Sequence, residues 1–415
     1  MAREQRARVN RPPSLLIVTG ITLGALAVSL FAQSALDYPQ WRGQVRDGSA
    51  SGFVEPSSWP QALKQQWKVD VGEGYATPVV IGDIVYVFTR RDGQEVMAAL
   101  DTASGKERWR SGYAAAYAPS PPTKVHGSGP KATPLYLDGK LFTQGITGIV
   151  SALDATSGTR LWQTREPAEH PFYSAASSPA GERGLMLVHP GNYEALTAYD
   201  VNDGTVKWIT GDGGFFMSPL IVTIEGTRQA VTVTQSAVIG VSLPDGRLLW
   251  RYPWSGGGMG GSMPVAYGQT IVVSAGVGVT ALKPTHRGST WVAEMAWETK
   301  DVSTYVSNSV VIGDTLFGFS TRNSGQFFAI DARDGKVLWL GPPREAANSA
   351  VVKANNVIFF LNDDGELIVA RSSRERFDII ARYTVSETAT WAQPAISGNR
   401  IFIKDAGSIA LWTID

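Results

Sequence analysis

Short apolar runs, each cut by a Gly-Asp, Asp-Gly or similar turn pair, follow one another from about residue 60 to the C-terminus. In the first complete unit Thr77-Pro78-Val79-Val80-Ile81 leads through Gly82-Asp83 into Ile84–Phe88. A polar turn at Arg90–Gln94 then opens Val96–Leu100, a second turn follows, and a last run surrounds Trp109. Runs of this length and alternation predict four short strands joined by three hairpins. The pattern recurs from Thr133-Pro134 to Trp162, Ser178-Pro179 to Trp208, Ser218-Pro219 to Trp250, Met263-Pro264 to Trp297 and Asn308-Ser309 to Trp339. A seventh unit starts at Asn348-Ser349, carries Arg371–Phe377 in place of the last turn, and ends on Tyr383. Successive closing residues lie 53, 46, 42, 47, 42 and 44 positions apart, which is the size of one propeller blade.

The last turn has its own signature. Asp101, Gly105 and Trp109 recur as Asp154, Gly158 and Trp162, as Asp200, Gly204 and Trp208, and as Asp331, Gly335 and Trp339. Gly246 and Trp250 follow the same spacing with Ser242 in the aspartate's place. The aspartate can accept backbone N–H groups two residues on, and the glycine supplies the positive φ that closes the turn. An eighth unit from Gln393-Pro394 runs out at Asp415 after three strands. The missing strand is available at Gln65–Val69, where Trp67 lies 42 positions before Trp109. The fold predicted is therefore all-β, an eight-bladed propeller of four-stranded antiparallel blades over residues 63–415. An N-terminal strand closes the ring and hides the open edges. Seven blades would follow only if unit seven or eight were not a blade.

Ahead of the ring, residues 1–35 read as a signal peptide or an N-terminal membrane anchor. Arg3, Arg6, Arg8 and Arg11 precede an uncharged run, Leu15–Ala32, and then the small residues Ala32-Gln33-Ser34-Ala35. Either reading puts the domain outside the cytoplasm, periplasmic or extracellular, with residues 15–32 as the anchor if uncleaved. Residues 36–62, with Tyr38-Pro39-Gln40-Trp41-Arg42-Gly43, read as a latch against the folded domain.

Composition narrows the chemistry. Lys+Arg and Asp+Glu balance at 37 each, so nothing in the charge points to nucleic acid. The absence of cysteine excludes disulfides, thiol catalysis, Cys-ligated metals and a lipidated N-terminal cysteine. His126, His170, His189 and His286 stand in different units without metal spacing, and no Gly-x-Ser-x-Gly elbow occurs. Asn362–Glu366 lacks the oxygen spacing of an EF-hand and reads as a two-residue Asp-Gly hairpin turn. Ser255–Ser262 is glycine-rich but is no phosphate loop.

The Ala-x-Asp-x-x-x-Gly-x-x-x-Trp repeat resembles the tryptophan-docking motif of propellers related to pyrroloquinoline quinone (PQQ) enzymes. That group includes quinoprotein alcohol dehydrogenases and the outer-membrane assembly factor BamB. The resemblance implies that the repeated residues are structural, each Gly packing on the Trp of its own motif. It also leaves function open, because enzymes and cofactor-free scaffolds share the fold. Quinoprotein dehydrogenases carry adjacent bridged cysteines and long inserts, and BamB-type scaffolds are typically lipoproteins. This chain has no cysteine for either purpose.

Chemistry is then expected on the blade-to-blade crossings and the second-to-third-strand turns, which share a face. Arg90, Lys131, Arg322 and Lys404 could converge there on an anion such as a carboxylate or quinone acid, with Trp391 as a stacking surface. Lys300, Asp301, Tyr305 and Asn308 could form a small polar site, and His126 and His170 could meet. The plainer account of each is a solvated turn. The first functional expectation is an extracytoplasmic, non-catalytic binding or scaffolding module for a protein, peptide or glycan, without cofactor. The alternative is a quinoprotein-like oxidoreductase of the alcohol dehydrogenase type, holding PQQ and calcium on the propeller face. No catalytic or metal residue is assigned, and membrane contact would come only through an uncleaved N-terminal segment.

Overall fold

A computed structural model describes residues 34–167, 173–191, 194–214, 217–256 and 262–414. The signal or anchor reading at residues 1–33 and His170 fall outside them, as does most of the glycine-rich crossing. Among the described residues no helix is long and apolar enough to cross a membrane. Eight four-stranded antiparallel sheets form the ring, seven of them built from consecutive strands. The first runs Val79–Ile81, Ile84–Arg91, Gln94–Asp101 and Glu107–Ala114. The eighth combines Ala395–Ser397, Arg400–Lys404 and Ser408–Thr413 with Lys64–Asp70. Trp67 pairs with Leu411 in that closing strand, so the N-terminal strand completes the last blade. First strands of adjacent blades pack together around the axis.

The Thr-Pro and Ser-Pro unit starts have a physical reason. The Thr77 N–H donates to Thr133 Oγ1 (3.1 Å), the Thr133 N–H to Ser178 Oγ (2.9 Å) and the Ser178 N–H to Ser218 Oγ (2.8 Å). Each hydroxyl thus takes an orphan donor from the preceding blade, while the following proline has none to satisfy. Asn308 does the same for the Met263 N–H at 2.7 Å, and Ser307 Oγ donates to Asn348 Oδ1 at 2.8 Å.

At the rim each aspartate accepts the turn's backbone N–H groups: Asp101 from Ser104 (2.9 Å), Asp154 from Ser157 (2.8 Å), Asp200 from Asn202 (2.8 Å) and Asp331 from Arg333 (3.0 Å). The tryptophans correct one expectation. Each motif glycine meets the Trp of the preceding blade, not its own. A Cβ on Gly105 would lie 2.9 Å from the Trp67 ring, on Gly158 2.4 Å from Trp109 and on Gly204 2.7 Å from Trp162. Gly246 stands in the same relation to Trp208, and Gly335 to Trp297, both at 2.5 Å. A strand side chain stands perpendicular to its sheet, so it faces the next blade, while its own turn lies in the plane of its own sheet. A β-bulge beside the paired alanine, as between Ala99 and Leu100 opposite Trp109, twists the outer strand at each copy. The indole N–H then reaches a carbonyl of the next turn: Trp67 to Thr102 (2.9 Å), Trp208 to Leu243 (3.1 Å), Trp297 to Ala332 (2.9 Å) and Trp339 to Ser373 (2.9 Å). Trp250 faces a blade without that turn and instead bonds Gln229 Oε1 at 2.6 Å. The fifth blade has a longer outer hairpin, Gly278–Arg287 and Thr290–Thr299, whose two strands pair up to Arg287 opposite Thr290. In the seventh blade Asn362 and Glu366 end their strands, so the intervening loop has three residues, not two.

Residues 36–53 enter the axial channel from the end opposite the crossings. Tyr38 exchanges two backbone hydrogen bonds with Val80, and Pro39 accepts from the Tyr136 N–H at 2.7 Å. Arg42, wholly buried, donates to Ser309 O (2.6 Å), and Arg46 to Pro179 O (2.8 Å) and Ser178 O (3.2 Å). Ser49–Ser51 then pair with the first strands of blades seven and eight, beside the Asp47–Lys353 ion pair at 2.8 Å. Burial lowers the Arg46 guanidinium to about 9, with the Arg42 charge acting in the same direction. The segment leaves the axis with Phe53 against Phe359, and Tyr383 Oη donates to Pro60 O at 2.9 Å.

Ring closure carries a titratable fastening. Lys68 Nζ of the closing strand lies 3.1 Å from Asp405 Oδ2. Burial alone would raise the Asp405 carboxyl, but hydrogen bonds from Ser408 and Gly407 together with Lys68 bring it down to about 2. A folded-state value below the unfolded one means that the stabilisation is complete above roughly pH 4. It is lost as pH falls toward 2. Asp405→Asn is expected to cost about 1–2 kcal/mol at pH 7 after allowance for solvent screening. It should also flatten the acid limb of stability, read by urea unfolding at pH 7, 4 and 2.5. An Asn variant that retains the parental acid limb would remove this carboxylate from the closure.

Candidate functional site

The crossings converge at the channel mouth on a cup of about 230 Å³ to which all eight blades contribute. Trp41 of the axial segment also lines it, alongside Ser178 and Met263, both of which touch Arg46. The walls carry Tyr75, His126, Lys131, Tyr305 and Trp391. His126 stands edge-on to Trp391, ring centroids 4.4 Å apart. Lys131 Nζ donates to Ser174 Oγ at 2.8 Å, and Ser174 holds a left-handed φ of 72°. Burial brings the Lys131 ammonium down to about 8. Burial also lowers His126, with the Lys131 charge adding to the effect, so at pH 7 the imidazole is neutral.

Of the five residues expected to converge, the structure brings together Lys131 and Trp391. Arg90 donates to Ala115 O at 2.7 Å. Lys404 is buried and donates to Asp405 O (2.6 Å) and Gly72 O (3.1 Å). Arg322 is exposed on the short 3₁₀ turn Arg322–Ser324. None of these three lines the cup. The reason is radial: second-to-third-strand turns lie a strand further from the axis than the crossings, so their side chains brace crossings from behind. Asp363 Oδ1 under the Ala347 and Asn348 N–H groups repeats that role, while Gln144 Nε2 donates to His189 O (2.9 Å) on the equivalent turn of the next blade.

Tyr305 and Asn308 reach the cup, whereas Lys300 turns to Glu298 at 3.5 Å, so that group is divided. His126 meets Trp391, and its proposed partner His170 lies outside the described residues. His189 is wholly buried between Glu194 O (2.9 Å) and Thr232 Oγ1 (2.8 Å). Burial takes its pKa down to about 4, and it is a neutral structural group. Trp41, Tyr75, Ser349 and Gln393 are among the cup residues that the sequence did not single out as ligand residues. Ser349 and Gln393 had a signal, since both mark unit starts.

The residues present can be tested against PQQ and calcium. Calcium needs carboxylate or carbonyl oxygens in number, and no Asp or Glu lines the cup among the described residues. A quinone triacid would meet a single lysine. No group of three or more His, Asp or Glu suited to a metal occurs among the described residues. This donor set does not fit that pair.

The fold and the cup together define an eight-bladed PQQ-like propeller with a small aromatic-lined mouth. The chain belongs to the family described as outer membrane protein assembly factor BamB, whose model matches residues 57–211, 92–341 and 217–415. It is 22% identical over 375 residues to the outer membrane protein assembly factor BamB of Shewanella oneidensis, covering 84% of this chain and 88% of that protein. A polyvinylalcohol dehydrogenase of Pseudomonas is 25% identical over 341 residues, 61% of this chain and 52% of the enzyme, so about half the enzyme's length is spanned. Among solved structures, BamB from Moraxella catarrhalis superposes with a TM-score of 0.62 at 15% identity, covering 85% of this chain and 98% of that one. The quinohemoprotein alcohol dehydrogenase of Comamonas testosteroni gives 0.67 at 14% identity, over 91% and 80%. At these identities the structural likeness speaks for the fold.

Proposed function

We propose that this protein is an extracytoplasmic binding propeller that presents its crossing face to a partner protein. One observation carries the reading: the unrepeated crossing residues Tyr75, His126, Lys131, Tyr305 and Trp391 meet on one cup with the unit starts of the blades, on a frame whose repeated Gly and Trp residues are occupied in holding blades together. Variable loops on a rigid ring suit recognition. Membership of the BamB-described family supports a protein partner. The dehydrogenase relatives support the alternative of a quinoprotein oxidoreductase, which the donor set of the cup disfavours.

The two readings separate in one experiment. A photo-crosslinking residue at Tyr305, 48% exposed at the mouth, should capture an envelope protein that the same residue at the rim position Leu161 does not. Titration with PQQ and calcium should give no saturable binding and no dye-linked alcohol oxidation. One-to-one PQQ binding with alcohol turnover would replace the binding reading with the enzymatic one.

A further inference from the structure

We propose that the cup is a site for a carboxylate carried on a flat apolar body, the carboxylate on Lys131 and the body against Trp391. The inference rests on the binding-propeller reading and adds the chemistry of what that face recognises. Lys131 is the one Lys or Arg among the described lining residues, and no described carboxylate pairs with it. Its ammonium spends one N–H on Ser174 Oγ, leaving two for a ligand. A cation drawn out of water without a counter-charge is costly, and an anion in the cup would relieve that cost. A divalent cation would find no carboxylate, and a neutral sugar would leave the charge unanswered.

The rest of the wall describes the body of the ligand. Trp41, Tyr75, Tyr305 and Trp391 supply flat apolar surface, with His126 holding Trp391 edge-on. Ser349 and Gln393 are wholly buried and line the cup, yet Ser349 Oγ and Gln393 Oε1 have no hydrogen-bond partner among the described residues. Their unmet hydrogen-bonding capacity adds polar character to an otherwise aromatic wall. A volume of about 230 Å³ suits one ring with its acid group, and it is too small for a folded surface. Such a group can come from a free aromatic acid or from the C-terminal residue of a polypeptide.

The test uses tryptophan fluorescence and calorimetry on the full chain. N-acetyl-L-phenylalanine, phenylacetate and the neutral N-acetyl-L-phenylalaninamide are the probes. Both acids are expected to bind saturably, with the amide at least about tenfold weaker, as a lost charge-assisted hydrogen bond implies. Lys131→Met should remove that preference while keeping the melting temperature, and Lys131→Arg should keep part of it. Trp391→Leu should weaken both acids. Tighter binding of the acetylated amino acid than of phenylacetate assigns the site to a polypeptide C-terminus, and the reverse to a free acid. Equal affinity for acid and amide, unaltered acid binding by a folded Lys131→Met protein, or no binding at millimolar concentration overturns the inference. Tyr305 crosslinks that persist in that last case would leave the broader reading standing and sink this one alone.

Discussion

A chain that begins at Tyr75 is expected to melt far below one that begins at Ala35, with the largest loss of stability of any change considered for this protein. The excised residues hold two separate devices. Without Lys64–Asp70 the strand Ser408–Thr413 loses the outer of its two antiparallel partners and becomes an open edge. Ile409 and Leu411, buried with Trp67 and Val69 packed against their cluster, are uncovered. Gly105 loses the Trp67 ring and Asp405 loses Lys68. Without residues 36–53 the carbonyls of Ser178, Pro179 and Ser309 lose their guanidinium donors inside the ring. A domain's whole stability is of order 5–15 kcal/mol, and losing strand, docking residue and axial segment together is expected to consume most of it. A chain that begins at Leu63 separates the two devices. It keeps the closing strand and should melt between the others by differential scanning calorimetry. Equal melting temperatures for the Tyr75 and Ala35 starts would show that the N-terminal strand does not hold the ring shut.

Among single substitutions the largest effects are expected at the blade interfaces. Trp208 is 8% exposed, donates to Leu243 O at 3.1 Å and lies against Gly246. Trp208→Ala should cost about 3–5 kcal/mol, the range for truncating a packed aromatic. Trp162 is only half-buried and holds Val201 O at 3.3 Å, so its truncation should fall below that of Trp208. Gly246→Ala approaches the same interface from the other side. Its φ of 66° disfavours any side chain, and the new Cβ would stand 2.5 Å from the Trp208 ring. Strain and overpacking together are expected to cost about 2–4 kcal/mol. The double variant should lose less than the sum, because removing the ring removes the clash. Chemical denaturation of the four proteins measures this directly. Strict additivity would mean that the two residues do not share an interface.

Much of this architecture can be read from the chain because each blade repeats its own instructions. Asp, Gly and Trp at fixed spacing specify a turn and an anchor, and a lone strand at Gln65–Val69 with an incomplete last unit specifies the closure. The direction of docking is not legible in the same way. Spacing relates Gly158 to Trp162, but the contact runs from Gly158 back to Trp109, across a boundary the repeat does not mark. The candidate site divides along a similar line. Lys131 and Trp391 stood out as unrepeated residues on crossings, and both line the cup. Arg90, Arg322 and Lys404 share the face but sit on turns further from the axis, a radius that a linear pattern does not record. Trp41 was hidden for another reason. Its place depends on a segment whose partners are spread from Val80 to Gly398.

That spread bears on how the molecule is made. The axial segment is among the first parts of the ring to be synthesised, yet its bonds to Lys353, Ile396 and Gly398 await nearly the last. Gln66 of the closing strand bonds Thr413 across 347 positions, contacts of the slow, non-local kind. Arg46 finds its carbonyls on Ser178 and Pro179 and Arg42 on Ser309, so their burial waits on the sixth blade, whereas the pairings of Ser49 and Ser51 wait on the seventh and eighth. The axial segment is thus held in stages, and its last backbone pairings, with Lys353, Ile396 and Gly398, form only when the chain is nearly complete.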